Sequence, residues 1–265
     1  MTEAEGNLLV VENLKVSYKN KMAVDGISFS MKPSEVLAIV GESGSGKSTI
    51  LKAVIGLLGR DAEVYGSIRL RARELLSLSD RERRGLNGRG MAMIFQNAGA
   101  SFCPIRRIGT QITESIRAHE DWSREQIRAR AEELMDAIGL EHSVWDAYPF
   151  SLSGGMGQRA GILSAMMLSP ELLLADEPTS ALDTVTQMKV VRELLKIRKK
   201  ERSAILLVTH HMGVARAMAD KVLVMKKGHA VEYGTAEQIF LNPQEAYTRC
   251  LIDAVPCVPR GKAVG

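Results

Sequence analysis

Two stretches of the sequence carry residue types that do phosphate chemistry. Gly41-Glu42-Ser43-Gly44-Ser45-Gly46-Lys47-Ser48-Thr49 fits the pattern G-x4-G-K-[ST] without a mismatch. Glycines let successive backbone N–H groups close around phosphate oxygens, and a helix opening at the lysine adds partial positive charge. Lys47 is long enough to reach β- and γ-phosphates, and the Ser48 hydroxyl suits Mg²⁺. The pattern implies a site for a nucleoside triphosphate. A Gly/Ser-rich turn that merely holds a lysine would not explain an apolar strand before it and a helical pattern after it. The second stretch is Asp176-Glu177-Pro178, at the end of the apolar run Leu172–Ala175. An acid emerging from a buried strand suits a magnesium shell opposite Ser48, and Glu177 stands where a base would polarise an attacking water. Alone, the pair also reads as strand-end acids capping a helix.

Both stretches need strands and helices to hold them. Val36–Val40, Glu171–Ala175, Ala204–Thr209 and Lys221–Met225 are short apolar runs. They are separated by helical patterns at Ser48–Leu58, Val185–Lys200 and Val214–Ala219, which predicts βαβ units around a mostly parallel, buried sheet. At the amino end, Leu8–Val11, Leu14–Tyr18 and Ile27–Met31 read as short antiparallel strands with turns between them, one at Asp25-Gly26. Between about Gln111 and Leu140 the pattern is helical and charged. Ser123 and Gln126 form a capping-box pair there, and Gly139 marks a stop. The expectation is one α/β core with a small β layer and a helical insertion near 97–150.

Leu152-Ser153-Gly154-Gly155-Met156, followed by Gln158-Arg159, completes a set that resembles the ATP-binding-cassette (ABC) ATPases from about Leu8 to about Tyr247. The resemblance implies an α/β P-loop NTPase core with a mostly parallel sheet, an antiparallel β subdomain and a helical, signature-bearing subdomain. Within a single domain, 1–96 and 165–240 would form the core and β subdomain, 97–164 the helical subdomain, and 241–265 a short tail. It implies ATP and Mg²⁺ as cofactors. Tyr18 matches the aromatic that stacks on adenine. Gln96 matches the glutamine touching metal and attacking water, so Ser48, Gln96 and Asp176 form the metal set. Ser153, Gly154 and Gly155 match the signature gripping ATP on an opposing subunit. Ser180-Ala181-Leu182-Asp183 matches the loop joining the two sites, and His210 the switch histidine. Taken singly, Tyr18 also reads as a strand aromatic packing on a sheet, and His210 as a strand-end structural histidine.

Within that family the chain resembles the peptide/nickel group of importer ATPases, through MIFQNAGASFCP, YPFSLSGGMGQR, LLLADEPTSALD and VTHHMGVARAMADKVLVMKKGHAVEYG. Asn242-Pro243-Gln244-Glu245-Ala246-Tyr247-Thr248 resembles that group's His-Pro-Tyr-Thr segment, with Glu245 and Ala246 in place of the His and Pro. His211 stands where an acid usually follows the switch histidine, and Gly157 occupies a variable slot. The group's peptide members continue into a longer cysteine-rich tail, so the short tail after Cys257 tilts the expected cargo to nickel or a metal chelate, with di- or oligopeptide as the alternative. The implied partners are two permease subunits, a second ATPase (a similar chain or this one), and an extracytoplasmic substrate-binding protein. They place the chain on the cytoplasmic face of the cell membrane, with no nucleic acid. Phe102, Ile105 and Arg106 are expected where Asn97–Arg107 receives a permease helix. A non-transport ATPase acting on DNA or ribosomes, and an exporter component, are the competing classes.

Composition agrees with an ordinary globular chain: 265 residues, 45% hydrophobic and 25% charged. A net charge of +4 is too small to argue for nucleic acid. Cys103, Cys250 and Cys257 form no CxxC pair, which fits a reducing cytosol, and no apolar run reaches the roughly 20 residues of a membrane span. Arg69, Arg71 and Arg73 read as one solvated strand face, and the SDRERRG stretch as an exposed helix or loop.

Overall fold

The computed structural model describes residues 6–19, 21–180 and 182–254. In chain order the elements are β1 (Leu9–Tyr18), β2 (Lys21–Met31), β3 (Val36–Val40), α1 (Lys47–Ile55), β4 (Ala62–Leu70), β5 (Arg73–Glu74), α2 (Asp80–Leu86) and β6 (Met91–Ile94). There follow α3 (Ile108–Arg117), α4 (Arg124–Ala137), α5 (Gly154–Met166), β7 (Leu172–Asp176), α6 (Thr184–Glu201) and β8 (Ala204–Thr209). The chain continues through α7 (Met212–Met218), β9 (Lys221–Lys226), β10 (His229–Thr235), α8 (Ala236–Leu241) and α9 (Ala246–Asp253).

Every residue of β3, β7 and β8 is buried. Alternate side chains enter different cores. Val36, Ala38 and Val40 of β3 join Leu173 and Ala175 of β7 and Ile205 and Leu207 of β8 against the helices α3 to α7. Leu37 and Ile39 join Leu172, Leu174, Leu206 and Val208 against α1 and the strands β1, β2 and β4. Coverage on both faces is why these strands are apolar at every position instead of alternating. Among the described residues the strands form a sheet of order β10-β9-β3-β8-β7-β6, parallel except for the β10–β9 pair, and an antiparallel sheet of order β2-β1-β4-β5. The α/β fold class read from the sequence is the one observed.

The antiparallel layer differs from its sequence reading in two places. β1 and β2 are continuous, and Asp25-Gly26 is no hairpin turn. Register shifts between Val11 and Leu14 and between Leu14 and Val16 are β-bulges, with Asn13 (φ 46°) in β1 and Gly26 (φ 71°) in β2 taking left-handed conformations. The arginines at 69, 71 and 73 do not share one strand face either. Arg71 (φ 46°) and Ala72 (φ 65°) form a tight turn between β4 and β5, and the three arginines pair separately with Glu12, Glu171 and Glu82.

The helices follow their local signals. The Ser123/Gln126 and Ser79/Glu82 pairs are capping boxes at the starts of α4 and α2. Gly139 is left-handed (φ 60°) just past α4, and α1 stops at Gly56 (φ 78°), short of Leu58. α2 is not wholly solvated: the Arg83 guanidinium turns inward to the Leu75 carbonyl (3.0 Å). No helix among the described residues is long and apolar enough to cross a membrane.

Candidate functional site

β3, β8, β7 and β6 are neighbours in the sheet, and the candidate residues leave from their carboxyl ends. The Gly41 loop follows β3, Gln96 lies two residues past β6, Asp176 ends β7, and His210 follows β8. Segments far apart in sequence therefore open onto one crevice, where open α/β sheets bind ligands.

Two glycines of the loop are dictated by close approach. A side chain on Gly41 would come within 2.1 Å of the Met225 carbonyl oxygen, and one on Gly46 (φ 98°) within 2.3 Å of that of Ala23. The loop thus lies flat against β9 and β2, with Gly46 as the amino-terminal cap of α1. No side chain caps that terminus, which leaves its N–H groups to the cavity. Lys47 is only 5% exposed and donates to the loop's own carbonyls, Gly41 O at 2.8 Å and Glu42 O at 2.7 Å. Burial pushes its pKa below the ordinary lysine range against the pull of Glu177 and Asp176.

Ser48 Oγ donates to Asp176 Oδ1 at 2.8 Å, and burial raises the Asp176 carboxyl above its usual range. A hydroxyl and a carboxylate in contact, deep in the crevice, are the hard oxygen donors that a Mg²⁺ ion takes, so the residues fit that ion. Glu177 is held on both oxygens: His210 Nδ1 donates to Oε1 (2.8 Å) and Gln96 Nε2 to Oε2 (3.0 Å). Its backbone is left-handed (φ 46°) and its N–H donates to Val208 O (2.9 Å). A non-glycine residue in that region is strained by about 1–3 kcal/mol, as are Asn13, Arg71 and Ala72. The His211 ring lies 4.0 Å from that of His210, centroid to centroid.

Tyr18, Ser43, Gly44, Gly46, Lys47, Ser48, Thr49, Gln96 and Glu177 line one cavity of about 580 Å³. Gly41 and Ser45, also in the loop, are buried and do not line that cavity. A cleft of about 610 Å³ beside Gly109 and Trp145 holds none of the residues singled out by sequence. Ser153, Gly154 and Gly155 do not join the nucleotide-sized cavity. Ser153 caps α5, accepting the Met156 N–H (3.3 Å), and with Gly154 borders a separate pocket beside Asn97 and Phe102. The helix starts at Gly154. In the expected permease contact, Phe102 packs against the core, Ile105 is 80% exposed and Arg106 pairs with Glu114. Ala181 and Cys257 lie outside the described residues.

Sequence reasoning missed the fastening between α5 and the site. Gln158 is 2% exposed; its Oε1 accepts the Ala98 N–H (3.2 Å) and its Nε2 donates to Pro178 O (2.8 Å) and Phe95 O (3.4 Å). One amide thus clamps the backbone on either side of Gln96 and the residue after Glu177. Gly157 is not an indifferent slot: a side chain there would press to 3.2 Å on the Gly99 Cα, and one on Gly161 to 2.1 Å on the Ala98 Cβ. The paired glycines in sequence were the available signal, and without the fold it has no partner.

Comparison with known proteins identifies the family and fold. A family model described as ABC transporter matches residues 24–180. The glutathione import ATP-binding proteins GsiA of Shigella dysenteriae serotype 1 (strain Sd197) and of Escherichia coli (strain K12) are each 43% identical over 265 residues, covering 95% of this chain. The chain spans 42% of the length of those relatives. Among solved structures, a dimeric ATP-binding cassette, MJ0796, in a post-hydrolysis state with ADP and Pi superposes with a TM-score of 0.78 at 26% identity, covering 86% of this chain and 98% of that one. CbiO1 from Clostridium perfringens, part of an ABC transporter complex, gives 0.77 at 25% identity, covering 90% and 92%.

Proposed function

The chain belongs to the ABC transporter family, and from that premise we propose that it is an ATP-hydrolysing subunit driving import through a membrane permease, with small peptides of the glutathione kind as cargo. The observation that carries the reading is the convergence of Lys47, Ser48, Gln96 and Glu177 on one cavity, with Asp176 bonded to Ser48 at its floor.

Tyr18 at the cavity's edge stacks on adenine. The loop from Gly41 to Thr49 wraps the phosphates with its N–H groups, and Lys47 leaves its carbonyl acceptors for the β- and γ-phosphate oxygens. Ser48, Asp176 and Gln96 would hold Mg²⁺, which when bound neutralises phosphate charge. Glu177 takes a proton from water as the water oxygen bonds to the γ-phosphorus. The bond from that phosphorus to the bridging oxygen breaks, leaving ADP and phosphate. His210 and Gln96 orient the base and the water.

Ser153, Gly154 and Gly155 lie outside the cavity of their own chain, which supports their acting on ATP bound by a facing subunit, either a second copy or a similar chain. In this reading the helical segment 97–164 turns against the core formed by 1–96 and 165–240, and passes the motion to two permease subunits at the cytoplasmic face of the membrane. An extracytoplasmic binding protein delivers the cargo. The relatives are named for glutathione import, which favours the peptide alternative over nickel or a metal chelate, and import over export or work on DNA or ribosomes. Where the chain ends says nothing about cargo.

The test is uptake of labelled glutathione, a labelled dipeptide and nickel by cells lacking this chain. Loss of glutathione or dipeptide uptake with nickel uptake intact is expected. Loss of nickel uptake alone would return the cargo to the metal branch.

A further inference from the structure

The segment after β10 lies outside the nucleotide cavity, yet it touches the phosphate loop from behind. The Glu232 carboxylate of β10 accepts the backbone N–H groups of Gln244 (2.8 Å) and Glu245 (3.3 Å), so one acid pins the turn into α9. Arg249 closes the turn by donating to Pro243 O (2.9 Å). This seat brings the half-buried Tyr247 to the loop, where its hydroxyl accepts the Glu42 N–H at 3.3 Å. The Lys226 ammonium, at the end of β9, lies 4.3 Å from the centre of the tyrosine ring and holds it from one face. Burial holds the phenol above its ordinary range, against the lowering effect of the Glu42 N–H and with the help of the Glu42 carboxylate.

The Glu42 N–H belongs to the same peptide group as the Gly41 carbonyl, and that carbonyl accepts the Lys47 ammonium at 2.8 Å. A single peptide plane therefore joins the tyrosine on the C-terminal helix to the lysine on the phosphate site. Gly41 (φ 150°) has no side chain to fix that plane, so its orientation depends on what each end bonds to.

We propose that Tyr247 is a positioning residue for ATP: its hydroxyl fixes the Gly41–Glu42 peptide, and through it the resting place of Lys47, so that the C-terminal helix pre-sets the phosphate loop. The inference rests on the nucleotide-binding reading above. Without the hydroxyl the peptide is held at its Gly41 carbonyl end alone, and ATP must complete the ordering of the loop as it binds.

Tyr247→Phe in the full chain keeps the ring over Lys226 and removes only the hydroxyl. Titration calorimetry with ATP and Mg²⁺ should give a Kd about three- to tenfold weaker than wild type, the size of one hydrogen bond, with kcat at saturating ATP little changed. The Glu42 amide should exchange with deuterium faster in the variant while the melting temperature of the nucleotide-free protein stays the same. A merely structural role would move the melting temperature and leave ATP affinity alone, which overturns the proposal. An unchanged Kd and equal exchange at Glu42 in a wild type that binds ATP overturn it as well. A wild type that binds no ATP, like the Lys47→Ala control, takes down the nucleotide reading and this inference together.

Discussion

Glu177 has both carboxylate oxygens committed, to His210 and to Gln96, on a backbone held in the left-handed region. Glu177→Gln keeps the shape and removes the proton acceptor. Steady-state ATPase assays should show kcat lower by about 10²- to 10⁴-fold, with ATP affinity preserved; wild-type turnover would reassign the base. His211 supplies a pH signature. Burial, then the neighbouring His210, holds its imidazole below the ordinary range, so the folded protein binds this proton less readily than the unfolded chain. Stability from this residue is then present above the ordinary imidazole range and lost as pH falls through its lowered pKa. His211→Asn should therefore gain in melting temperature relative to wild type as pH is lowered from neutrality. A constant difference across that window would remove His211 as the source.

At the scale of elements, α5 is tied directly to the segments that present Gln96 and Glu177. Its first turn carries Ser153, Gly154 and Gly155, and one turn on Gln158 clamps the segments that present Gln96 and Glu177. Gly157 and Gly161 let the helix backbone lie directly on Ala98–Ser101. A shift of α5 must therefore carry the Gln96 loop with it. Gln158→Leu strands a buried N–H and a buried carbonyl, which should cost about 1–3 kcal/mol in denaturant unfolding. Because the phosphate loop is untouched, kcat should fall further than ATP affinity. A variant that loses stability but turns over normally would make Gln158 a packing residue only.

For the whole molecule, Ser153 and Gly154 border a different pocket from the one that Lys47 lines, and the proposed function makes them half of a site completed by a facing chain. Facing head to tail, two copies would complete each other. Ser153→Arg and Glu177→Gln chains should each be inactive alone. Mixed, they should regain part of wild-type ATPase, because one composite site then has an intact serine from one chain and an intact base from the other. Two inactive chains that stay inactive when mixed, though each pairs with wild type, would exclude the shared site.

The cradle from Gly41 to Thr49 was legible because the residues that build it are consecutive: glycine spacing, strand before and helix after all fall within one local pattern. The apolar runs of β3, β7 and β8 were legible for a similar reason, since burial on both faces leaves no polar position. Tertiary structure alone decided what lies next to what. The Gln158 clamp on Ala98 spans 60 positions in sequence, and the Tyr247 contact with Glu42 spans 205. Neither residue type announces its partner, because a hydrogen bond between distant segments depends on strand order and register, which residue pattern does not encode. The same limit made Asp25-Gly26 look like a turn: a glycine at positive φ serves a hairpin or a bulge equally well, and only the pairing of β1 with β2 chose the bulge. The sequence by itself determined the chemistry of the phosphate loop and the layers of the fold; the packing of distant segments determined which residues hold that chemistry in place.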